Sequence, residues 1–89
     1  MNLRGKIAIV TGASRGIGAA TAIELASQGV AVLLAARTLA EIEMNAAAIN
    51  TSGGKAAAIA CDVSDYAQVE AAVVKCQAEF GGLDILVNN

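Results

Sequence analysis

The sequence predicts an α/β fold: a parallel sheet of four strands joined by three helices, in the order β-α-β-α-β-α-β. Three observations carry that expectation. Apolar runs of strand length recur at residues 6–10, 30–36, 55–61 and 83–87. Between them lie longer stretches whose small and apolar residues fall at three- and four-residue steps, the helical period. Glycines stand where each helix should stop, so the connectors are short and the helices serve as crossovers between parallel strands.

Taken in order, Lys6-Ile7-Ala8-Ile9-Val10 is the first strand, and its nearly continuous apolar character suits a strand covered on both faces. A helix follows from about Gly16 to Gln28, with Ala19, Ala22, Ile23 and Ala26 on one face and Thr21, Glu24 and Gln28 turned away. Gly29 ends it. Val30 to Ala36 is the second strand, the most hydrophobic stretch and hence interior to the sheet. Thr38 and Glu41 have capping-box spacing, so a second helix starts there, with Leu39, Ile42, Ala46 and Ile49 as its buried stripe. Thr51-Ser52-Gly53-Gly54 stops it. Lys55 to Cys61 is the third strand, weakened by its alanines. Ser64 and Asp65 are caps for a third helix, Tyr66 to Phe80, which buries Val69, Val73, Cys76 and Phe80 and ends at Gly81-Gly82. Leu83 to Val87 is the fourth strand, followed by Asn88-Asn89.

Composition narrows the function classes. A chain of 89 residues makes one small domain, 1–89, and its 56% hydrophobic content is largely alanine, which adds little buried area per residue. With only Tyr66 and Phe80 as aromatics, the core must be made of Ile, Val and Leu on strands with alanine-lined helices packed close. The net charge is −2 and no basic cluster exists, so nucleic-acid binding has no electrostatic support. No apolar run is long enough for a membrane span, and no signal peptide is apparent, because residues 1–10 already fit a strand and its lead-in. Cys61 and Cys76 lack metal-ligand spacing and there is no histidine to join them, so no metal site is expected and both read as reduced cysteines near a core. The natural inference is a cytoplasmic protein.

The chemistry centres on Thr11-Gly12-Ala13-Ser14-Arg15-Gly16-Ile17-Gly18. Glycines in this pattern also fit an ordinary turn. Here, however, they leave a strand and open a helix, and that arrangement makes a phosphate cradle. Gly12 permits a turn that a Cβ would obstruct, and the later glycines let backbone approach a pyrophosphate and let helix pack on strand. The first helical turn then offers unpaired N–H groups and the positive end of its dipole. A glycine turn after the first strand implies a Rossmann sheet, order 3-2-1-4.

The spacing, G-x-x-x-G-x-G, resembles the cofactor fingerprint of the short-chain dehydrogenase/reductase family. With Gly5-Lys6-Ile7-Ala8 before it, the segment looks most like bacterial β-ketoacyl-acyl-carrier-protein reductases. That resemblance assigns Gly12, Ser14, Arg15, Gly16, Ile17 and Gly18 to cofactor binding. The other strand ends can be read in the same frame. After the second strand comes Ala35-Ala36-Arg37-Thr38, with no carboxylate to meet ribose hydroxyls and with a guanidinium that can hold a 2′-phosphate. Arg15 can approach the same phosphate. A basic residue at each position resembles the family's NADP-preferring pattern, while Arg37 also reads simply as a solvated charge at a helix start. After the third strand, Asp62-Val63 is similar to the family's adenine-binding pair, and Asp62 also reads as a cap for the next helix. Asn88-Asn89 matches the first half of the family's Asn-Asn-Ala-Gly motif, which implies that Asn89 contacts the ribose nearest the nicotinamide and Asn88 braces backbone. Asp84 reads as structural.

The resemblance spans the whole chain but only the N-terminal, cofactor-binding half of the family fold. Family catalysis uses a Tyr-x-x-x-Lys pair and a serine on later elements. Here the one tyrosine, Tyr66, is followed four residues on by Glu70, so no catalytic residue is assigned. The implied whole is an NADP(H)-dependent oxidoreductase acting on a carbonyl or alcohol, such as a 3-oxoacyl thioester, truncated here after its fourth strand and inactive alone. A non-enzymatic, self-associating nucleotide-binding module and a truncation fragment are the competing readings. In either, the fourth strand is an open edge, with Ile85 and Val87 on one face and Leu86 on the other. Self-association through that strand or the poorly covered sheet face is expected.

Overall fold

A computed structural model describes residues 2–89. Strands and helices alternate throughout: β1 (Ile7–Thr11), α1 (Gly16–Ser27), β2 (Ala31–Ala36), α2 (Leu39–Thr51), β3 (Lys55–Ala60), α3 (Tyr66–Phe80) and β4 (Ile85–Val87). The sheet is parallel, in the order β3-β2-β1-β4, the Rossmann arrangement expected from the glycine turn. The chain reverses its direction of winding at β1. As a result α1 and α2 pack on one face of the sheet and α3 on the other.

β2 shows why the central apolar run contains no polar residue. All six of its residues are buried, because it is flanked by β1 and β3 and covered on both faces. Val32 and Leu34 point into the α1/α2 layer with Val10, Ala22 and Ile42, whereas Leu33 points towards α3 with Ile9 and Cys76. The alternation follows from the two-residue period of a strand. Ala22, Ala26 and Ala46 line the helix surfaces facing the sheet, so the helices approach closely and the branched strand residues fill the space.

Several details differ from the sequence expectation. The buried line of α1 is Gly18, Ala22 and Ala26, and Ile23 is 52% exposed. The reason is local: Gly18 must lie against the loop after β1, and that contact sets the rotation of the helix. On α2, Ile42, Ala46 and Ile49 are buried as expected, but Leu39 at the first position is exposed. Thr38 is the N-cap of α2 without a side-chain capping bond, so the expected capping box does not form. On α3, Ala72 and Cys76 are the buried residues, and Val69, Val73 and Phe80 are half-buried on a face that α3 covers by itself among the described helices. Asp65 caps α3 through a bond from the Ala67 N–H at 3.0 Å, while Ser64 is engaged elsewhere.

β4 is shorter than expected because Asp84 intervenes. Its backbone N–H donates to the Ile7 carbonyl at 2.8 Å, and its carboxylate Oδ2 accepts from the Ile7 N–H at 2.9 Å. The side chain thus continues the pairing with β1 where the backbone leaves it, which gives Asp84 the structural role read from the sequence.

Candidate functional site

The C-terminal ends of the parallel strands bring together the segments after β1, β2, β3 and β4. The segment after β1 is the glycine loop. Gly12 and Gly16 both have positive φ, at 61° and 64°, a conformation in which a Cβ would be strained. Gly18 has an ordinary φ but no room: a Cβ there would collide with the Gly12 carbonyl oxygen and the Asn89 side-chain amide. Beyond Gly16 there is open space. The result is a bend closed on its inner side and open on its outer side.

The start of α1 is correspondingly bare. Its N-cap, Arg15, is extended (φ −160°) and makes no side-chain capping bond, and the first turn carries no acidic residue. The N–H groups of that turn and the positive end of the helix dipole are left without a side-chain cap. Ile17 is 77% exposed there. A diphosphate fits this donor set, because the loop offers N–H groups with no carboxylate competing for them.

The loop is held from behind by a residue that the sequence reading missed. Asn45, one face of α2, donates through Nδ2 to the carbonyls of Ala13 and Ser14, at 3.0 Å each. With those carbonyls fixed towards α2, the intervening peptide groups have one orientation. No local signal announces this role, since Asn45 lies 32 and 31 residues from its partners. One turn earlier on α2, Glu41 accepts a bond from Arg15 Nη2 at 3.2 Å. The capping-box carboxylate is therefore directed to the glycine loop.

At the ends of β2 and β3 the chain supplies Arg37 and Asp62-Val63. The two strands are still bonded there, through the Cys61 N–H to the Ala36 carbonyl at 2.8 Å. Asp62 Oδ1 accepts from both the backbone N–H and the hydroxyl of Ser64, at 2.9 and 2.7 Å. These Ser64 bonds, the hydroxyl first, hold the Asp62 carboxyl below its ordinary range, with the Arg37 charge adding to them. Asp62 is thus an ionised turn residue within electrostatic reach of Arg37. Both bonds to its carboxylate fall on one oxygen, Oδ1. Val63 is 53% exposed beside it.

The segment after β4 is tied to β1 through Thr11, the one polar side chain among the buried positions of the described residues. The Thr11 hydroxyl accepts from the Asn89 N–H at 2.9 Å, and its proton is shared between the Val87 carbonyl and Asn88 Oδ1, at 3.3 and 3.2 Å. Asn88 accordingly braces the strand end. The Asn89 side chain packs against Gly12 and Gly18, so it borders the same cleft as the glycine loop.

Two concavities flank the sheet. A groove of about 170 Å³ lies between α3 and the sheet, bordered by Ile9, Thr11, Cys61, Val63, Leu86 and Asn88, and so opens at the strand ends just described. A broader one, about 1310 Å³, lies at the opposite end, among Arg4, Lys6, Gly29, Gly54 and Lys55. The strand order puts the topological switch at the end opposite the broader one. Burial, and after it the nearby Asp62 and Asp65 charges, push the Cys61 thiol up, so it borders the groove as a neutral group. Among the described residues no cluster could hold a metal ion, and no helix is long and apolar enough to cross a membrane.

Comparison with known proteins bears on the same features. The model of the family described as short chain dehydrogenase matches residues 6–89. A short-chain reductase protein, NovJ, of Streptomyces niveus is 51% identical over 82 residues, covering 92% of this chain and 31% of the relative. Galactitol 2-dehydrogenase of Agrobacterium fabrum is 46% identical over 89 residues, covering all of this chain and 34% of the relative. The crystal structure of a hydroxysteroid dehydrogenase from Escherichia coli superimposes with a TM-score of 0.93 at 37% identity, over 99% of this chain and 38% of that one. The chain thus spans about a third of the length of these two curated relatives. A family-model match along nearly the whole sequence, carried by a glycine loop with this sheet order, means that the chain belongs to the short-chain dehydrogenase family.

Proposed function

We propose that residues 1–89 form one NADP(H)-binding unit, the cofactor-binding part of an oxidoreductase that reduces a carbonyl or oxidises the corresponding alcohol. The observation that supports the reading is a pair of guanidiniums after β1 and β2, which the reading puts at the adenosine end. Arg15 leaves the glycine loop, Arg37 follows β2 directly, and no carboxylate occupies the end of β2. Two cations suit a 2′-phosphate better than a 2′-hydroxyl. Gly12, Ser14, Gly16, Ile17 and Gly18 would hold the diphosphate, Asp62 and Val63 the adenine, and Asn89 the ribose next to the nicotinamide. When bound, NADPH supplies the hydride. The chain's own part is to orient the dinucleotide across the strand ends.

Catalysis is assigned to none of these residues. Tyr66, the one tyrosine, is 79% exposed on the first turn of α3 and has Glu70 four residues on. We therefore expect the 89 residues to bind cofactor without turning over a ketone. A 3-oxoacyl thioester is the substrate class we favour for the whole protein, on the likeness of the glycine loop and its lead-in to reductases of that class. Both cysteines are free and buried, which suits a reducing cytoplasm.

The second reading, a self-associating module, is favoured by the two sheet edges. The outer edge of β3 is screened at Ala56, where the Asn50 side chain bonds both the N–H and the carbonyl, at 2.8 and 3.0 Å. β4 has no such screen among the described residues, and Leu86 is 59% exposed on it. An association of the 89-residue chain would therefore form at β4 and the adjoining α3 face.

Binding of NADPH and NADH to the wild-type chain and to Arg37→Ala tests the first reading. Wild type should favour NADPH by roughly tenfold or more, about 1.4 kcal/mol, and Arg37→Ala should remove most of that preference. Equal affinities in the wild type would contradict the NADP assignment.

A further inference from the structure

We propose that Glu41 sets how strongly this chain discriminates a 2′-phosphate from a 2′-hydroxyl. The inference rests on the reading of Arg15 and Arg37 as the adenosine-end cations and goes beyond it to a third residue. In that reading the end of β2 lacks the carboxylate that would meet a ribose hydroxyl. Yet a carboxylate does reach the adenosine end from elsewhere: Glu41, on the first turn of α2, lies 3.2 Å from Arg15 Nη2.

Its charge changes the balance of the site. Arg15 and Arg37 are opposed by Glu41 and by Asp62, which its Ser64 bonds keep ionised. Glu41 thereby lowers, without cancelling, the positive charge that Arg15 and Arg37 offer an incoming phosphate. The Glu41 carboxylate engages Nη2 of the Arg15 guanidinium, so it competes with a phosphate oxygen for that group, and it repels a phosphate while being able to accept a bond from a hydroxyl. Nor can it withdraw by a shift of its helix. Asn45, one turn on, fastens α2 to the carbonyls of Ala13 and Ser14. The mobile partner is Arg15, whose side chain is 80% exposed against 38% for Glu41. A pair this exposed contributes little to stability, so its consequence lies in binding.

The test is an equilibrium titration of the 89-residue chain with NADPH and NADH, in wild type, Glu41→Gln, Arg15→Ala and the double variant. Glu41→Gln should raise the NADPH-to-NADH affinity ratio roughly threefold at low ionic strength, the scale of an exposed charge pair. The gain should shrink as salt is added and be lost in the Arg15→Ala background. An unchanged ratio, an equal tightening of both cofactors, or a full gain without Arg15 would overturn the role of Glu41 while leaving the cofactor reading in place. Failure of every variant to bind either cofactor would overturn the cofactor reading itself, and the role of Glu41 with it.

Discussion

At Gly18 the fold and the candidate site meet in a single hydrogen atom. A methyl group there would press on the Gly12 carbonyl and the Asn89 amide, and neither neighbour is the loose end of a long side chain. Gly18→Ala is expected to cost about 1–3 kcal/mol of stability by overpacking and to abolish dinucleotide binding, measured by denaturant unfolding and by titration. Gly16→Ala fills open space but imposes a Cβ at φ 64°, so it should cost about 1–2 kcal/mol through the backbone. Asp62 makes a different prediction. Its folded-state pKa lies below the ordinary 3.8, mainly through Ser64. Its contribution to stability is therefore complete above the unfolded-state value and is lost as pH falls through the lower folded-state one. Ser64→Ala should move the Asp62 midpoint, followed by carboxyl NMR, upward towards the ordinary value. A midpoint unmoved by that change would remove the Ser64 hydroxyl as the leading cause.

The elements differ in how far the sequence reveals them. The strands are legible because burial on both faces forces apolar residues at every position, as in Ala31–Ala36. The glycine loop is legible because its three glycines each answer a constraint visible in a pattern. The rotation of α1 is not, because alanines on several faces give its stripe no contrast, and the rotation is instead fixed by the contact of Gly18 with Gly12. Glu41 and Asn45 were equally hidden. Local spacing made Glu41 a capping-box residue, whereas its partner, Arg15, is 26 residues away. At the start of α3, by contrast, local chemistry decides, and Asp65 caps the helix through Ala67. Asp65→Ala should cost about 1 kcal/mol, read as a lower denaturation midpoint, without changing cofactor affinity. Asn45→Ala, which strips two carbonyls of their donor, should weaken NADPH and NADH alike, because it disturbs the loop and not the phosphate preference.

Across the whole molecule, the sheet order fixes one functional end. β3-β2-β1-β4 reverses direction at β1, so the loops after β1 and β4 flank a crevice, and all the candidate cofactor residues border that end. The sheet's edges are unequal, with Asn50 screening β3 at Ala56 and nothing comparable on β4 among the described residues. Sedimentation of the chain at micromolar concentration should show a reversible dimer or larger species, and Leu86→Lys should shift it towards monomer. A strictly monomeric wild type would remove β4 as an association surface. The central claim, a dinucleotide held across the strand ends, is tested most directly by amide NMR of the labelled chain titrated with NADPH. Shifts should concentrate at Gly12 to Gly18, Arg37, Asp62, Val63 and Asn89. Shifts confined to the opposite concavity, around Arg4, Gly29 and Lys55, or no shifts at saturating NADPH, would contradict it.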